Sequence, residues 1–331
     1  MRLLQIGNRA GERRVGVVDD GKILLLEGVD SIYGLAQKAL EAREKLAPAV
    51  KKRISPNAIA YDDIYFSTSD WRILPAIDHP HEPARCLISG TGLTHMKSAQ
   101  NRQAMHKAGE APTDSMKIYE WGVEGGRPAP GQIGVAPEWF YKGCGTSLRA
   151  HGEPLAVPPH AEDGGEEAEI VGIYMIDSAG NPRRIGMAMG NEFSDHKFER
   201  KNYLYLAASK LMSCAIGPEL VVDAVFDKVP GEAVIERDDQ VFWRRDTLTG
   251  ESVMAHSLAN LEHHHFKHAA HRRPGDVHIY FLGASAFSFG EGIILKDGDV
   301  MRISFEGFGR ALRNPLVVDR SPQKLMAATA L

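Results

Sequence analysis

A glutamate pair that leads into a wholly apolar segment is the feature that most restricts the fold of this chain. Glu167 and Glu169 flank Ala168, and the apolar run Ile170-Val171-Gly172-Ile173-Tyr174-Met175-Ile176 follows. Such a run predicts a buried β-strand, on which residues i and i+2 face the same side. Like charges entering a buried element are unfavourable unless a cation pairs with them. The pattern therefore predicts a metal site or, because E-x-E is common, the solvent face of an antiparallel strand.

A third carboxylate follows on the next strand-like segment, where Glu192 comes after Gly190-Asn191. Hard divalent cations prefer a few carboxylate oxygens and keep other positions for water or substrate oxygens. We predict that Glu167, Glu169 and Glu192 bind Mg²⁺, with Mn²⁺ or Ca²⁺ as alternatives. Asp195 and His196 are predicted either to orient these ligands or to begin a helix.

The composition excludes several classes of protein. The 331 residues are 43% hydrophobic and carry a net charge of −4 with dispersed Lys and Arg, so no nucleic-acid partner is expected. No apolar stretch approaches the roughly 18 residues of a membrane span, and the first residues lack the apolar region of a secretory signal. We expect a cytoplasmic protein without membrane contact. The three separated cysteines, Cys86, Cys144 and Cys214, are predicted to be reduced.

Two domains are predicted, a small N-terminal α/β domain over 1–80 and a larger domain over 81–331. The proline-rich segment 75–83 marks the boundary. In the first domain the pattern predicts strands over 3–6, 14–18 and 23–26, and a helix over 32–46. The second domain is predicted to be mostly β, in an α+β arrangement. Helices are predicted over 204–212 and 258–271, and strands over 277–282 and 300–305. The segment 125–134 is predicted to be a loop long enough to act as a lid.

The motifs between residues 85 and 316 occur in the order found in the fumarylacetoacetate hydrolase family. They are Ser89–His95, Phe140-Tyr141-Lys142, Glu167–Ile173, Asn191–Lys197, Lys210 with Gly217-Pro218, and the turns Pro274–Val277, Gly283–Ser285 and Asp297–Val300. Over about two thirds of the chain the sequence resembles this family, most closely the branch that includes 2-keto-3-deoxy sugar acid dehydratases. The resemblance implies a mixed β-sandwich roll and a homodimer.

The resemblance also implies roles for individual residues. It implies catalytic roles for His95, Lys142 and Lys210, and substrate contacts for Ser98, Ser285 and Gly217. A 2-oxo acid can chelate a cation through its carboxylate and keto oxygens, which acidifies its C3 proton. His95 would serve as acid or base, and a lysine in a closed pocket near a metal can have its pKa lowered into a useful range.

Two departures from the family pattern bear on the reaction. Ser98 stands where the hydrolases carry a glutamate that pairs with the histidine, so the hydrolytic dyad is incomplete. Ala284 replaces a threonine, although Ser285 could supply a hydroxyl. The leading hypothesis is a Mg²⁺-dependent lyase that dehydrates a 2-keto-3-deoxy sugar acid in carbohydrate catabolism.

Two alternatives remain open. The first is a hydrolase that cleaves a C–C bond of an acylpyruvate or diketo acid, which gains support if Glu110, Glu120 or Glu124 reaches the predicted catalytic histidine. The second is a non-catalytic protein that binds a sugar acid.

Several of the chosen residues also have simpler interpretations. Lys142 could be a surface lysine that closes a loop, and Lys210 could lie on the solvated face of its helix. The run His263-His264-His265-Phe266-Lys267-His268 lacks the third ligand of a helical zinc motif, and exposed helical histidines are the favoured interpretation.

Overall fold

The computed structural model describes residues 1–105 and 113–331, and its strands form two mixed sheets. The strands are β1 (Arg2–Asn8), β2 (Arg13–Asp19), β3 (Lys22–Leu26), β4 (Ile54–Ala60), β5 (Trp71–Ile73), β6 (Cys86–Gly90), β7 (Phe140–Cys144), β8 (Leu148–Arg149), β9 (Leu155–Val157), β10 (Ala168–Ile176), β11 (Pro182–Asn191), β12 (Cys214–Ile216), β13 (Leu220–Val221), β14 (Val229–Arg237), β15 (Gln240–Thr249), β16 (Val277–Phe281), β17 (Val300–Phe305) and β18 (Leu312–Val318). The large sheet has the order β4-β3-β2-β1-β13-β11-β10-β16-β6-β7, with β5, β8 and β12 attached. The small sheet has the order β15-β14-β17-β18-β9.

The helices are short and lie outside the sheets. They are α1 (Ile32–Glu41), α2 (Leu46–Lys51), α3 (Tyr61–Tyr65), α4 (Met96–Met105), α5 (Asp114–Gly125), α6 (His196–Lys201), α7 (Leu206–Ser209) and α8 (Leu258–Phe266). None of the described helices is long and apolar enough to cross a membrane.

The N-terminal strands share the large sheet with the rest of the chain. β1 pairs with β13, so that Leu3 lies opposite Leu220.

The helix predicted over 32–46 begins where expected, after the N-cap Ser31, but it ends at Glu41. Its break coincides with Arg43, whose φ of 53° places the backbone in the left-handed region that interrupts a helix. The domain boundary near residue 80 stays a prediction.

Strand β10 is buried along its whole length because the two faces of the large sheet are both covered. Ile170 and Tyr174 pack in one core with Ile303 of the small sheet. Val171 and Ile173 pack in a second core, which also contains residues of helix α1. A strand covered on both faces reads as a continuous apolar run, which explains why this segment could be recognised from sequence.

The antiparallel pairing of β10 with β11 brings the three predicted ligands together. Ala168 lies opposite Asn191, and the Glu192 N–H donates to the Glu167 carbonyl at 3.0 Å. Residues directly opposite in an antiparallel pair face the same side, as do residues i and i+2 of one strand. Glu167, Glu169 and Glu192 therefore share one face of the sheet.

Two predicted helices differ from the structure, and one hairpin was not predicted. The helix expected over 204–212 is one α-turn, Leu206–Ser209, preceded by a 3₁₀ turn, and the helix over 258–271 ends at Phe266. The hairpin of β14 and β15 was not predicted at all. It turns at Asp238 and Asp239, with φ values of 51° and 59°, which are the dihedrals of a tight hairpin turn. Asp-Asp is a weaker turn signal than the glycine-containing pairs that usually mark such a connection.

Candidate active site

Glu167, Glu169 and Glu192 converge at the end of the β10–β11 pair. Each offers a carboxylate oxygen, and these atoms lie within 4.8 Å of one another. Glu169 and Glu192 are buried, and the side chain of Glu167 is only 12% exposed. The Glu169 carboxylate also accepts the N–H of Gly283 at 2.7 Å, which fixes its orientation. The solvent-face alternative for the glutamate pair is therefore wrong, because both side chains point into the protein.

Two lysine ammonium groups lie among these carboxylates. Lys210 Nζ is 2.5 Å from Glu167 Oε1 and 2.6 Å from Glu192 Oε2. Lys142 Nζ is 2.7 Å from Glu192 Oε1 and donates to the Lys210 carbonyl at 2.9 Å. Both lysines are fully buried, so the interpretations that place them on the surface are wrong.

The three carboxylates have different electrostatic environments. Burial, reinforced by repulsion from Glu192 and Glu167, raises the pKa of Glu169 well above its usual value. Burial would also raise the pKa of Glu167, but Lys210 and His196 outweigh it and lower that pKa. Burial raises the pKa of Glu192 against the opposing effect of Lys142 and Lys210. With all three carboxylates ionised, the cluster carries more negative charge than its two lysines neutralise, and a hard divalent cation among these oxygen ligands would favour that ionised form.

The pKa of Lys210 is raised, whereas a lowered pKa was expected from the sequence. Burial would lower this pKa, but the attraction of Glu167 and Glu192 outweighs burial and raises it. A lysine held in its charged form by two carboxylates is a poor base. The structure therefore supports Lys210 as a positive charge that binds or stabilises anionic groups.

His196 holds one of the three carboxylates in place. Its Nε2 lies 3.0 Å from Glu167 Oε1, and its ring stacks between Phe287 and Phe289 with centroid distances of 5.2 Å to each. Burial would lower the pKa of His196, but the hydrogen bond with Glu167 outweighs it and raises the pKa. His196 contacts the predicted ligand Glu167, whereas Asp195 caps helix α6 by accepting the Phe198 N–H. A role of His196 in orienting a metal ligand stays a prediction.

His95 lies in a buried loop before helix α4. Its Nδ1 is 2.9 Å from the Thr94 hydroxyl, and its Nε2 has no hydrogen-bond partner among the described residues. Burial lowers the pKa of His95 to about 4. The ring is therefore neutral near pH 7 and suits a proton acceptor better than an acid.

No carboxylate of the described residues forms a hydrogen bond with His95. Glu120 and Glu124 are exposed on helix α5. Glu110 lies outside the described residues. Among the described residues, the ring of His95 has Thr94 as its hydrogen-bond partner.

The predicted substrate-binding residues lie on different elements of the fold. Ser98 is buried within helix α4. Ser285 accepts the Leu248 N–H at 3.2 Å, which ties it to β15. The Gly217 N–H donates to the Met189 carbonyl at 2.9 Å, beside β11. Substrate contact by these three residues stays a prediction.

A buried charged cluster next to the His95 loop was missed by sequence reasoning. Arg102 lies 2.8 Å from Glu138 Oε1 and 3.0 Å from Glu199 Oε1, and the Tyr203 hydroxyl donates to Glu138 Oε1 at 3.3 Å. The second oxygens of Glu138 and Glu199 are buried without a partner among the described residues. A Cβ at Gly92 would lie 2.2 Å from Glu138 Oε2, so the cluster touches the loop that carries the histidine.

One signal in the sequence could have identified part of this cluster. Glu138 is a lone carboxylate between Pro137 and the aromatic pair Trp139-Phe140, four residues before Lys142. A carboxylate inside an apolar segment that leads to Lys142 predicts a buried functional group, as it does for Glu169. Arg102 and Glu199 carry no such local signal.

The histidine-rich segment is only partly exposed. His265 is buried, its Nε2 lies 3.0 Å from His278 Nδ1, and the Trp139 indole donates to its Nδ1 at 3.1 Å. Burial lowers the pKa of His265 to about 2. The expectation of exposed histidines is therefore wrong for His265.

Comparisons with known proteins place the chain near one kind of enzyme. No family model matches the sequence. The sequence is 28% identical over 181 residues to a probable 2-keto-3-deoxyxylonate dehydratase of Haloferax volcanii, an alignment that covers 52% of this chain and 58% of that relative. The chain thus spans less than two thirds of the relative's length.

Solved structures match over almost the whole chain. A 2-keto-3-deoxy-D-arabinonate dehydratase in its apo form has a TM-score of 0.71 at 22% identity, covering 97% of this chain and 100% of that one. The same enzyme complexed with magnesium and 2,5-dioxopentanoate also has a TM-score of 0.71. A 5-carboxymethyl-2-hydroxymuconate delta-isomerase of Mycobacterium smegmatis has a TM-score of 0.56 at 17% identity, covering 96% and 100%. The predicted fold is confirmed, and the predicted likeness to the dehydratase branch is confirmed by the proteins that the chain resembles.

Proposed function

We propose that this protein is a Mg²⁺-dependent lyase that removes water from a 2-keto-3-deoxy sugar acid. The observation that carries the proposal is the convergence of three buried carboxylates with two buried lysines at one point of the large sheet. The sequence relative and the solved structures with a TM-score of 0.71 are sugar acid dehydratases, which supports this reaction over others.

The charges of the site favour a divalent cation together with an anionic ligand. Three carboxylates against two ammonium groups leave one net negative charge, if each group is ionised. Buried charges are tolerated when they are paired. A dication makes the site positive by one charge, and the carboxylate of a 2-oxo acid neutralises it.

The residues of the chain then divide the remaining tasks. When bound, Mg²⁺ would polarise the keto group of the substrate and acidify its C3 protons. The ammonium of Lys210 stabilises the negative charge that develops on the substrate, and the neutral ring of His95 accepts a proton. Dehydration removes one C3 proton and the C4 hydroxyl as water. For a five-carbon substrate the loss of water leaves a C3–C4 double bond. Transfer of a proton from C5 to C3 gives the C4–C5 enol, and transfer of the enol's hydroxyl proton to C4 gives the C5 aldehyde of 2,5-dioxopentanoate.

The hydrolase alternative has less support. A hydrolytic histidine needs a carboxylate that stabilises its cation, and among the described residues the ring of His95 contacts Thr94 instead. The homodimer and the cytoplasmic location stay predictions. Mg²⁺ is proposed ahead of Mn²⁺ and Ca²⁺ because the magnesium complex is the one found for a structural neighbour.

A substrate panel tests the proposal. With Mg²⁺, we expect the protein to convert a 2-keto-3-deoxypentonate into 2,5-dioxopentanoate, as seen by ¹H NMR, and to leave acylpyruvates intact. Chelation of the metal with EDTA should stop turnover, and added Mg²⁺ should restore it. Cleavage of an acylpyruvate would support the hydrolase, and Mg²⁺ binding without turnover of any oxo acid would support the non-catalytic alternative.

Binding of Mg²⁺ should release protons. Because the folded-state pKa of Glu169 is raised, this carboxyl is protonated at pH values where ordinary carboxyls are ionised. The cation needs the ionised form, so its affinity should rise as pH rises toward that pKa and fall in acid. Isothermal titration calorimetry in two buffers with different ionisation enthalpies measures the released protons. Identical heats in both buffers would contradict the raised pKa.

A further inference from the structure

We propose that Thr94 is a positioning residue that fixes His95 as the tautomer with a proton on Nδ1, so that Nε2 is left as the proton acceptor for the substrate. This inference rests on the proposed function and deepens it, because it assigns the direction of proton transfer at His95.

The argument begins with the single proton of the Thr94 hydroxyl. Thr94 Oγ1 lies 3.1 Å from the Leu282 carbonyl oxygen and 2.9 Å from His95 Nδ1. A carbonyl oxygen can only accept, so the hydroxyl proton goes to Leu282. The oxygen of Thr94 then accepts from His95, which requires a proton on Nδ1. A neutral imidazole with Nδ1 protonated has its lone pair on Nε2.

The surroundings of His95 leave that lone pair free for a ligand. His95 is 3% exposed, and its Nε2 has no hydrogen-bond partner among the described residues. Buried polar atoms are normally satisfied, and an exception at a site calls for a functional explanation. A C–H or hydroxyl proton of a bound sugar acid would supply the missing partner.

The same loop connects Thr94 to the carboxylate cluster. The residue after Leu282 is Gly283, whose N–H donates to Glu169 Oε2 at 2.7 Å. A Cβ at Gly283 would lie 2.0 Å from Thr94 Oγ1, and its φ is +97°, so only glycine lets the hydroxyl approach. One short loop therefore orients a proposed metal ligand and the tautomer of His95.

The backbone before Thr94 is also unusual. Leu93 is buried and has a φ of 53°, in the left-handed region that a branched side chain rarely adopts. Strain of this kind persists where the surrounding structure imposes it, and it occurs often at active sites. Here it lies directly before Thr94, whose hydroxyl contacts Leu282 and His95.

This arrangement replaces the missing carboxylate with a weaker partner. A carboxylate beside Nδ1 would stabilise an imidazolium and activate water for hydrolysis, whereas a hydroxyl orients the ring without stabilising its positive charge. A ring that is oriented but stays a weak base is suited to a C3 proton that a bound cation has already acidified.

Nuclear magnetic resonance of the protein tests the tautomer without any substrate. In a long-range ¹H–¹⁵N spectrum of histidine-labelled protein, the signal lost in His95→Gln identifies His95. We expect a protonated Nδ1 and an unprotonated Nε2 for this ring, and a protonated Nε2 in wild type would overturn the proposal. The matched pair of variants is Thr94→Val, which keeps the branched shape, and Thr94→Ser, which keeps the hydroxyl.

Thr94→Val should shift the ring toward the Nε2-protonated tautomer, and Thr94→Ser should keep the wild-type spectrum. On the dehydration substrate, Thr94→Val should lower kcat about 10- to 100-fold with KM within about threefold, and Thr94→Ser should recover most of kcat. A Thr94→Val protein with wild-type tautomer and kcat would overturn the proposal. If wild type turns over no oxo acid, the proposed function fails, while the spectra still decide the role of Thr94.

Discussion

Glutamine in place of Glu169 should abolish Mg²⁺ binding while making the protein at least as stable as wild type in EDTA. Burial and the charges of Glu192 and Glu167 disfavour the ionised form of Glu169, which is why its pKa is raised. The neutral amide removes that repulsion and can still accept the Gly283 N–H. The loss of one ligand should lower kcat/KM by about 10³-fold, which corresponds to several kcal/mol of charge stabilisation.

The matched control is Glu167→Gln, which removes the same charge from a different environment. Lys210 and His196 favour the ionised form of Glu167, so the amide should destabilise the protein in EDTA. Both variants should lose the stabilisation that Mg²⁺ gives to wild type. Urea unfolding of wild type and of both variants, in EDTA and in excess Mg²⁺, gives the six free energies of unfolding that the comparison needs. If both variants change stability in the same direction in EDTA, the proposed electrostatic difference between the two carboxylates is wrong.

Methionine in place of Lys210 should destabilise the protein strongly and inactivate it. The Lys210 ammonium donates to Glu167 and Glu192 at 2.5 and 2.6 Å, and to the Ser194 hydroxyl at 3.1 Å. Removing one partner of a buried ion pair leaves charge uncompensated and costs about 3–5 kcal/mol. Because Mg²⁺ supplies positive charge at the same carboxylates, it should recover part of this loss.

The control for this variant is Lys201→Met on helix α6. Lys201 is exposed and pairs with Glu162 at the surface. Exposed ion pairs contribute about 0–1 kcal/mol, so the free energy of unfolding should change little. Equal stability of the Lys210→Met and Lys201→Met proteins, measured by urea unfolding, would exclude a buried charge cluster around Lys210.

The parts of the site that were predicted from sequence depend on local spacing. Glu167 and Glu169 face one side because of the two-residue period of a strand, and Glu192 joins them because β10 and β11 are consecutive antiparallel strands. The order of the motifs added Lys142 and Lys210 to the predicted site. Their burial could not be predicted, because the sequence pattern around a single lysine does not distinguish a buried position from a surface one.

Other features arise from contacts between residues far apart in the chain. Arg102 meets Glu138 and Glu199 only after helix α4, the segment before β7 and helix α6 have packed together. The burial of His265 on helix α8 depends on the packing of this helix against His278 of strand β16. The β14–β15 hairpin was missed because its many charged residues weaken the apolar pattern that would predict a strand. Its strands are held by pairing within the small sheet, where β14 lies beside β17.

The sequence by itself determined the buried strand, the three carboxylates on one face and the order of motifs, because strand geometry and chain adjacency act over a few residues. The tertiary structure alone decided the charge state of each group and the partner of His95. Desolvation and Coulomb interactions depend on every atom within several ångströms, and most of those atoms belong to distant segments of the chain.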